Sequence, residues 1–322
     1  MINNFRVAFS NIKIQHTEKM RKRPILYALF LVVILMSSCI KDDMDDCPPP
    51  VYSLYFSYKG DGTKEIFLEK EKSVNLYIYD DKEVFVRAVT LNQDDLKRKQ
   101  GIDLDLPYGK YKIVCWGNVD KNSQMTQSTS LDSLAVGAPA YFKKERITTN
   151  DSLYYATKDI NIIRGNYVID TVKFKSAHIK MQIVLSNLDQ ATITRSNITK
   201  SVSSDPNLSI EIGNLKPTVT FKENYSKEKV SYYPLLTIDN SKHEVEANFN
   251  VLRFNDDNDV FINIRNSETN DIIYSLSVMQ FMRKYGISED GKNEVPIRIR
   301  FSFRGFAIAV EPWGEEEIKP GV

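Results

Sequence analysis

The strongest constraint on this chain is the alternation of apolar and polar residues that continues from residue 51 onward. In the segment VYSLYFSY, Leu54, Phe56 and Tyr58 lie on one side, and the apolar residues of IDLDL (102–106) alternate with two aspartates. Successive side chains of a β-strand point to opposite faces, so a period of two predicts strands with one buried face. The sequence therefore predicts an all-β fold.

Hairpins and longer stripes extend this pattern. Val74, Leu76 and Ile78 precede the turn residues 80–82, and Val84 and Val86 follow it, which predicts a hairpin. The second half contains further apolar stripes within residues 177–185, 245–251, 260–264, 295–303 and 308–310. Residues 255–258, Asn-Asp-Asp-Asn, are predicted to form a hairpin turn between two of these stripes. Strands at short spacing with polar turns favour β-sandwiches over βαβ units.

The remaining segments contain few helical signals. Residues 92–99 are predicted to form one or two capped helical turns, and residues 276–285 a short helix that ends at Gly286. The stretch 118–150 is rich in Ser, Thr and Asn and is predicted to be a long loop region. We place one domain at residues 51–175 and a second at 176–322, because the second set of stripes begins there.

The amino-terminal 38 residues are typical of a bacterial lipoprotein signal peptide. Arg21, Lys22 and Arg23 precede a run of twelve apolar residues (25–36), and Ser37-Ser38-Cys39 follow its last residue, Met36. Twelve residues are too few to span a bilayer, which needs about 20. Met36-Ser37-Ser38-Cys39 resembles a lipobox, so Cys39 is predicted to be acylated with diacylglyceryl and palmitate chains. Met20 would give a signal of ordinary length and is an alternative start.

Residues 39–50 are predicted to form a lipidated tether. Lys41, Asp42 and Asp43 directly follow the lipobox and resemble the export tag of Bacteroidetes surface lipoproteins, whereas the simpler interpretation is a solvated acidic spacer. Three prolines at 48–50 then stiffen the tether. The localisation predicted is the outer membrane, with the protein held by lipid and exposed at the cell surface.

Composition excludes several functional classes. The formal net charge is +1, but residues 1–38 contribute +5, which leaves −4 for the chain from Cys39 onward. No basic patch with interleaved aromatic residues is present, so nucleic-acid binding is not expected. The sequence lacks the usual spacings of metal-ligand, catalytic-triad and phosphate-loop motifs, and its histidines are His16, His178 and His243. We therefore predict no enzyme activity, no cofactor and no metal; His178 is expected on the polar side of a strand.

Two further cysteines and one hydroxyl group are candidate modification sites. Cys47 in the tether and Cys115 in a strand could form a disulfide in an exported protein, or remain as one exposed and one buried thiol. Ser133, in Asp-Ser-Leu within the predicted loop, resembles the acceptor of Bacteroidetes O-glycosylation. The triplets Asp151-Ser152-Leu153 and Asp170-Thr171-Val172 have the same form, but they do not lie clearly in a predicted loop.

Several motifs together resemble one family. The tether from Cys39 to Pro48, followed directly by an aromatic strand, is similar to the start of FimB-type, fimbrillin-like fimbrial anchor lipoproteins of Bacteroidetes. Two further segments resemble motifs of the same family: Val74-Asn75-Leu76-Tyr77-Ile78-Tyr79-Asp80, and Leu106-Pro107-Tyr108-Gly109-Lys110-Tyr111 followed by Trp116-Gly117-Asn118. Asp151-Ser152-Leu153-Tyr154-Tyr155 fits the motif that follows. The resemblance is specific over residues 39–185. On their own, Tyr111 and Trp116 are predicted to be core residues, not a ligand platform.

The resemblance implies two tandem transthyretin-like β-sandwich domains. It also implies a surface lipoprotein that anchors a fimbria, or pilus, to the outer membrane and joins shaft or accessory pilin subunits by strand addition. The alternatives are a surface adhesin or glycan-binding module of the same fold, and a tip or shaft pilin. No Arg lies between Cys39 and the first strand, so the sequence lacks the protease site expected before the first domain of a shaft pilin.

Overall fold

The computed structural model describes residues 52–163, 167–188, 207–239, 241–242, 244–304 and 307–312. The predicted signal peptide, the tether, His243 and the carboxyl tail 313–322 lie outside them. Within the described ranges, no helix is long and apolar enough to cross a bilayer.

Two sheets are formed by the first half of the chain. Sheet I has the order β4-β1-β9, and sheet II the order β10-β8-β5-β2-β3. Apolar residues of both sheets, including Leu54, Phe56, Leu76 and Ile113, form one buried cluster. The elements are β1 Tyr52–Ser57, α1 Phe67–Lys70, β2 Val74–Asp80, β3 Phe85–Leu91, α2 Gln93–Arg98, β4 Gly101–Leu104, β5 Gly109–Gly117, β6 Gln124–Met125, β7 Ala135–Gly137, α3 Pro139–Phe142, β8 Tyr154–Ile162, β9 Val168–Lys173 and β10 Lys175–Ser176.

The predicted hairpin after Asp80 is confirmed, since β2 and β3 pair antiparallel around this turn. The Asp80 carboxylate accepts the backbone N–H groups of Lys82 and Val84 at 2.9 and 2.8 Å. Val84 and Val86 are 57% and 42% exposed, however, and do not contribute to the core. The reason is that β3 is the edge strand of sheet II, and its half-buried face carries Phe85, Arg87, Val89 and Leu91.

Two more sheets are formed by the second half. Sheet III has the order β15-β16-β11-β19-β20, and sheet IV the order β14-β12-β17-β18. Apolar residues of both sheets form a second buried cluster. The elements are β11 His178–Ser186, β12 Leu208–Leu215, β13 Thr218–Thr220, β14 Val230–Tyr232, β15 Thr237–Asp239, β16 Glu244–Leu252, β17 Phe261–Asn266, β18 Ile272–Ser277, α4 Val278–Tyr285, β19 Ile297–Arg304 and β20 Ala307–Pro312.

The prediction of a hairpin turn at residues 255–258 is wrong. The strand before it, β16, pairs with β11 and β15 in sheet III, whereas the strand after it, β17, pairs with β12 and β18 in sheet IV. The segment therefore crosses from one sheet to the other. Asn258 stabilises the crossing, because its side-chain N–H donates to the carbonyl oxygens of Asn255 and Asp256.

The prediction of a plain loop at residues 118–150 is also wrong. This stretch contains β6, β7 and α3, and β7 pairs with β13 to give a three-stranded sheet V. Its apolar residues Leu131, Leu134 and Val136 are buried in a third cluster, with Trp116 and Phe221. Because β13 comes from the second half of the chain, sheet V joins segments from both sides of the predicted domain boundary. The division at 175/176 stays a prediction.

The two longer helices agree with the sequence signals. Helix α2 begins after Asn92, whose side chain caps it and forms a reciprocal pair with Asp95. Helix α4 ends at Gly286, which has φ +67° as a left-handed C-cap requires. It begins at residue 278 instead of 276, because Leu276 and Ser277 pair with β17 as the end of β18.

Candidate functional site

β1 is the central strand of sheet I. β1 lies between β4, antiparallel, and β9, parallel, so both of its edges are paired within the molecule. Tyr52 donates from its hydroxyl to Asp170 on β9 at 3.1 Å, and Asp170 also pairs with Lys158 at 2.9 Å. Burial and the Asp170 carboxylate raise the pKa of Tyr52 to about 12. The slot between β4 and β9 is therefore filled by the chain's own first strand.

At the other end of the chain, β20 lies at the edge of sheet III. It pairs with β19 on one side, and no strand of the described ranges pairs with its other side. The hydroxyl of Tyr285 on α4 donates to the carbonyl oxygen of Val310 at 2.7 Å, which holds β20 in place. β20 therefore brings the chain to an open sheet edge immediately before the tail that begins at residue 313.

Most of the predicted modification and export residues are outside the described ranges, namely Cys39, Lys41, Asp42, Asp43 and Cys47. Cys115 is described and is completely buried in the core between sheets I and II. Burial raises the pKa of its thiol well above the ordinary value, and the nearby Glu71 carboxyl acts in the same direction. Cys47 lies outside the described residues, so the Cys47–Cys115 disulfide stays a prediction.

Ser133 is the candidate glycosylation site, and it lies exposed in a turn before β7. Its hydroxyl is 2.7 Å from that of Ser128. Ser152 is half-buried beside Asn250, and Thr171 is paired in β9. The geometry thus separates the three triplets by accessibility, and Ser133 as acceptor stays a prediction.

Two predictions about the positions of side chains are confirmed. Trp116 is 1% exposed and Tyr111 is also buried, which confirms their assignment to the core. His178 lies on the polar face of β11 as predicted, with Lys180 and Gln182. Its ring packs edge-on against Tyr154 with centroids 5.5 Å apart, and its Nδ1 lies 2.9 Å from the carbonyl oxygen of Leu153. Burial lowers the pKa of His178, which favours the neutral ring. Its contacts are those of a packing residue.

A cleft that the sequence did not predict opens beside the third buried cluster. Its volume is about 480 Å³. It is lined by residues of β5, β8, β10 and β13 and by the turn after β13, which contributes Glu223 and Tyr225. Residues 253–255 after β16 and the loop 289–293 after α4 complete the lining. These segments are distant in sequence, and no local pattern connects them.

An ion pair forms one wall of this cleft. Arg253 donates to the backbone carbonyl oxygen of Glu289 at 2.6 Å and to its carboxylate at 3.1 Å. Burial raises the pKa of Glu289 to about 7, against the opposing effect of the Arg253 charge. Within the described ranges, no cluster of His, Cys, Asp and Glu has the arrangement of a metal site.

Comparisons with known proteins agree with this architecture. The family model described as fimbrillin-A associated anchor proteins Mfa1 and Mfa2 matches residues 44–319. No curated protein matches the chain.

Three solved structures of similar fold come from two organisms. A proposed adhesin of Bacteroides thetaiotaomicron has a TM-score of 0.63 and 16% identity, and the match covers 84% of this chain and 98% of that one. A proposed polysaccharide-binding protein of the same organism has a TM-score of 0.63, 12% identity and coverage of 83% and 99%. The fimbrial anchor protein Mfa2 of Porphyromonas gingivalis has a TM-score of 0.60, 15% identity and coverage of 83% and 98%.

Proposed function

Because the chain belongs to the family of fimbrillin-A associated anchor proteins, we propose that it is a surface lipoprotein that anchors a fimbria to the outer membrane. In this proposal Cys39 carries the acyl chains, and the folded part joins a shaft or accessory pilin subunit by strand addition. Family membership associates the chain with fimbriae; the lipid anchor, the surface position and the way of joining are our proposal.

The observation that carries the proposal is the paired position of β1. A subunit in the middle of a strand-linked filament must both accept and donate a strand, whereas a terminal subunit needs only one of these connections. The slot between β4 and β9 is filled by β1, whose Leu54 and Phe56 are completely buried. Displacing β1 would expose these side chains to water, which disfavours acceptance of a foreign strand there. This supports a terminal position in the filament.

A joining site must then be an open edge or a segment outside the described ranges. The edge of β20 presents unpaired backbone groups, which can bind an extended strand through main-chain hydrogen bonds. The tail that follows β20 could instead act as the donor. Its three consecutive glutamates at 315–317 and its Pro320 are poor residues for a buried central strand. We therefore keep β20 and the tail as one candidate region and separate them by experiment.

Truncation after Trp313 distinguishes these two possibilities. If the tail donates a strand, we expect filaments to leave the cells and accumulate in the medium, while the truncated protein stays folded and membrane-bound. The measurement is immunoblotting of filament protein in cell and medium fractions, with electron microscopy of whole cells. A matched control replaces Glu315, Glu316 and Glu317 with Gln, which keeps the tail length. Normal attachment after truncation would exclude tail donation and leave the β20 edge as the candidate.

The export tag is tested by replacing Lys41, Asp42 and Asp43 with Ala. We expect lipidation to be unaffected but the protein to become protected from protease added to intact cells, because the tag would direct the lipoprotein to the outer leaflet. The control replaces Asp45 and Asp46 with Ala, which removes an equal number of tether aspartates outside the proposed tag. If both variants are digested as fast as the unaltered protein, the triplet is only a solvated spacer.

A further inference from the structure

Four large hydrophobic side chains are exposed at the end of sheets I and II where β1 begins. Their exposed fractions lie between 49% and 67%, and they are Tyr108, Ile163, Tyr167 and Ile169. Single apolar residues scattered over a surface are normal, whereas a group of them in one place marks a site of contact with a protein or a membrane. We call these four residues the apolar tip.

Strand pairing places the sheet I part of the apolar tip beside the start of β1. Tyr52, the first residue of β1, is paired with Leu104 at the end of β4 and with Val168 at the start of β9. Tyr167 and Ile169 are the chain neighbours of Val168. Both therefore lie next to the point where the chain enters the described fold.

The sheet II part lies at the same end. After β4 the chain crosses from sheet I to sheet II within four residues, the last of which is Tyr108. The next residue, Gly109, begins β5 and is paired with Ile162 at the end of β8, and Ile163 follows directly. Leu106 and Ile162 are buried in the core beneath. The apolar tip therefore adds exposed apolar surface that the core does not use.

The structure holds this end of the molecule firmly. The hydroxyl of Tyr111 donates to the carbonyl oxygen of Pro107 at 3.0 Å, which fixes the turn that carries Tyr108. Asp170 on β9 pairs with Lys158 on β8 at 2.9 Å, which ties sheet I to sheet II beside the tip. A surface fixed in this way loses little conformational freedom when it contacts a partner.

The partner is indicated by the chain that precedes β1. Cys39, the proposed lipid site, lies thirteen residues before Tyr52. Thirteen residues span at most about 43–47 Å when fully extended, at ~3.3–3.6 Å per residue. Acyl chains on Cys39 would therefore keep the end that carries the apolar tip within this distance of the bilayer.

The composition of the apolar tip suits a bilayer surface. Tyrosine has an apolar ring and a polar hydroxyl, and it is enriched where membranes meet water. The two isoleucines add apolar area. The exposed charges beside Tyr108 are those of Asp105 and Lys110, which have opposite sign. The tip therefore needs no attraction to charged lipids, and headgroups of neither sign are generally repelled.

We propose that the apolar tip lies against the headgroups of the membrane in which Cys39 is anchored. This inference rests on the proposed acylation of Cys39 and adds a second contact to it. The acyl chains hold the protein at the membrane, and the tip fixes its orientation there. The β1 end then faces the lipid, and the rest of the molecule is directed outward.

The test is fluorescence quenching by brominated lipid, with the full acylated protein in phosphatidylcholine vesicles. The reporter is Tyr108→Trp in a Trp313→Phe background, from which the signal of buried Trp116 is subtracted. Interfacial residues lie about 5–10 Å into the boundary between headgroups and acyl chains, so bromine on the chains should lower the reporter emission roughly twofold or more. The control reporter is Leu235→Trp, at an exposed site of the second half, and its emission should not change.

A double substitution assigns the contact to the apolar tip. Ile163→Ser with Ile169→Ser removes apolar area and should abolish most of the quenching of Tyr108→Trp. The matched control is Ile272→Ser with Ile273→Ser, which alters two exposed isoleucines on β18 and should leave the quenching unchanged. Melting temperatures establish that each variant is folded.

Flotation of the vesicles separates this inference from the anchor proposal. If the protein does not float with them, Cys39 does not anchor it and both proposals fail. If it floats but Tyr108→Trp is quenched no more than Leu235→Trp, only the membrane contact is overturned. Quenching that survives the double substitution at Ile163 and Ile169 has the same meaning. So does a photo-crosslinker at Tyr167 that captures a pilin subunit or a second copy on cells instead of lipid.

Discussion

Replacement of Cys39 by Ala is expected to move the protein from the membrane fraction to the soluble fraction, or to leave an unprocessed precursor. Each CH₂ group buried in the bilayer contributes ~0.8 kcal/mol, so two or more acyl chains hold a protein firmly. None of the described helices could replace this attachment. If the anchor proposal is correct, filaments should be lost from the cells together with the protein.

The measurement combines membrane fractionation with mass spectrometry of the amino-terminal peptide, which should begin at acylated Cys39. Cys47→Ala is the matched control, because it removes the neighbouring tether cysteine and leaves the lipobox intact. Membrane attachment and cleavage should be normal in that variant. A Cys39→Ala protein that is still cleaved at the same position and fully membrane-bound would show that Cys39 is not the lipid attachment site.

The second large effect is expected from Phe221→Ala, which should lower the free energy of unfolding by about 3–5 kcal/mol. Phe221 follows β13 and is 1% exposed. Its ring packs against Tyr77 of β2 and Trp116 of β5, with centroid distances of 4.9 and 5.9 Å. The hydroxyl of Tyr155 also donates to its carbonyl oxygen at 2.7 Å. Phe221, from the second half of the chain, thus packs in a buried cluster whose residues come mainly from the first half.

Thermal unfolding followed by circular dichroism and calorimetry measures this effect. For a chain of this size the midpoint should fall by roughly 10 °C, since 1 kcal/mol shifts it by about 2–4 °C. Because the third cluster and sheet V join both halves, we expect a single transition that moves as a whole. Leu235→Ala, at a site 77% exposed, is the control and should change stability by no more than about 0.5 kcal/mol. Two separate transitions, with only one shifted, would contradict a shared core.

Alternation in the sequence determined which residues face the core along most strands. Leu54 and Phe56 in β1 and Val74, Leu76 and Ile78 in β2 are all buried as expected, because a period of two follows from backbone geometry alone. Local signals also placed the N-cap of α2 and the C-cap of α4, since a cap is made by residues within one turn. The lipobox and the family motifs are likewise linear features of the sequence.

Which strand pairs with which was decided only by tertiary structure. The polar run 255–258 has the composition of a hairpin turn, yet it connects two sheets, because pairing depends on distant strands such as β11 and β12. For the same reason the Ser- and Thr-rich stretch 118–150 is ordered against β13. The cleft is a further case: Trp116, Arg253 and Glu289 are far apart in sequence, and only the packing of segments from both halves brings these residues to the lining of one cavity.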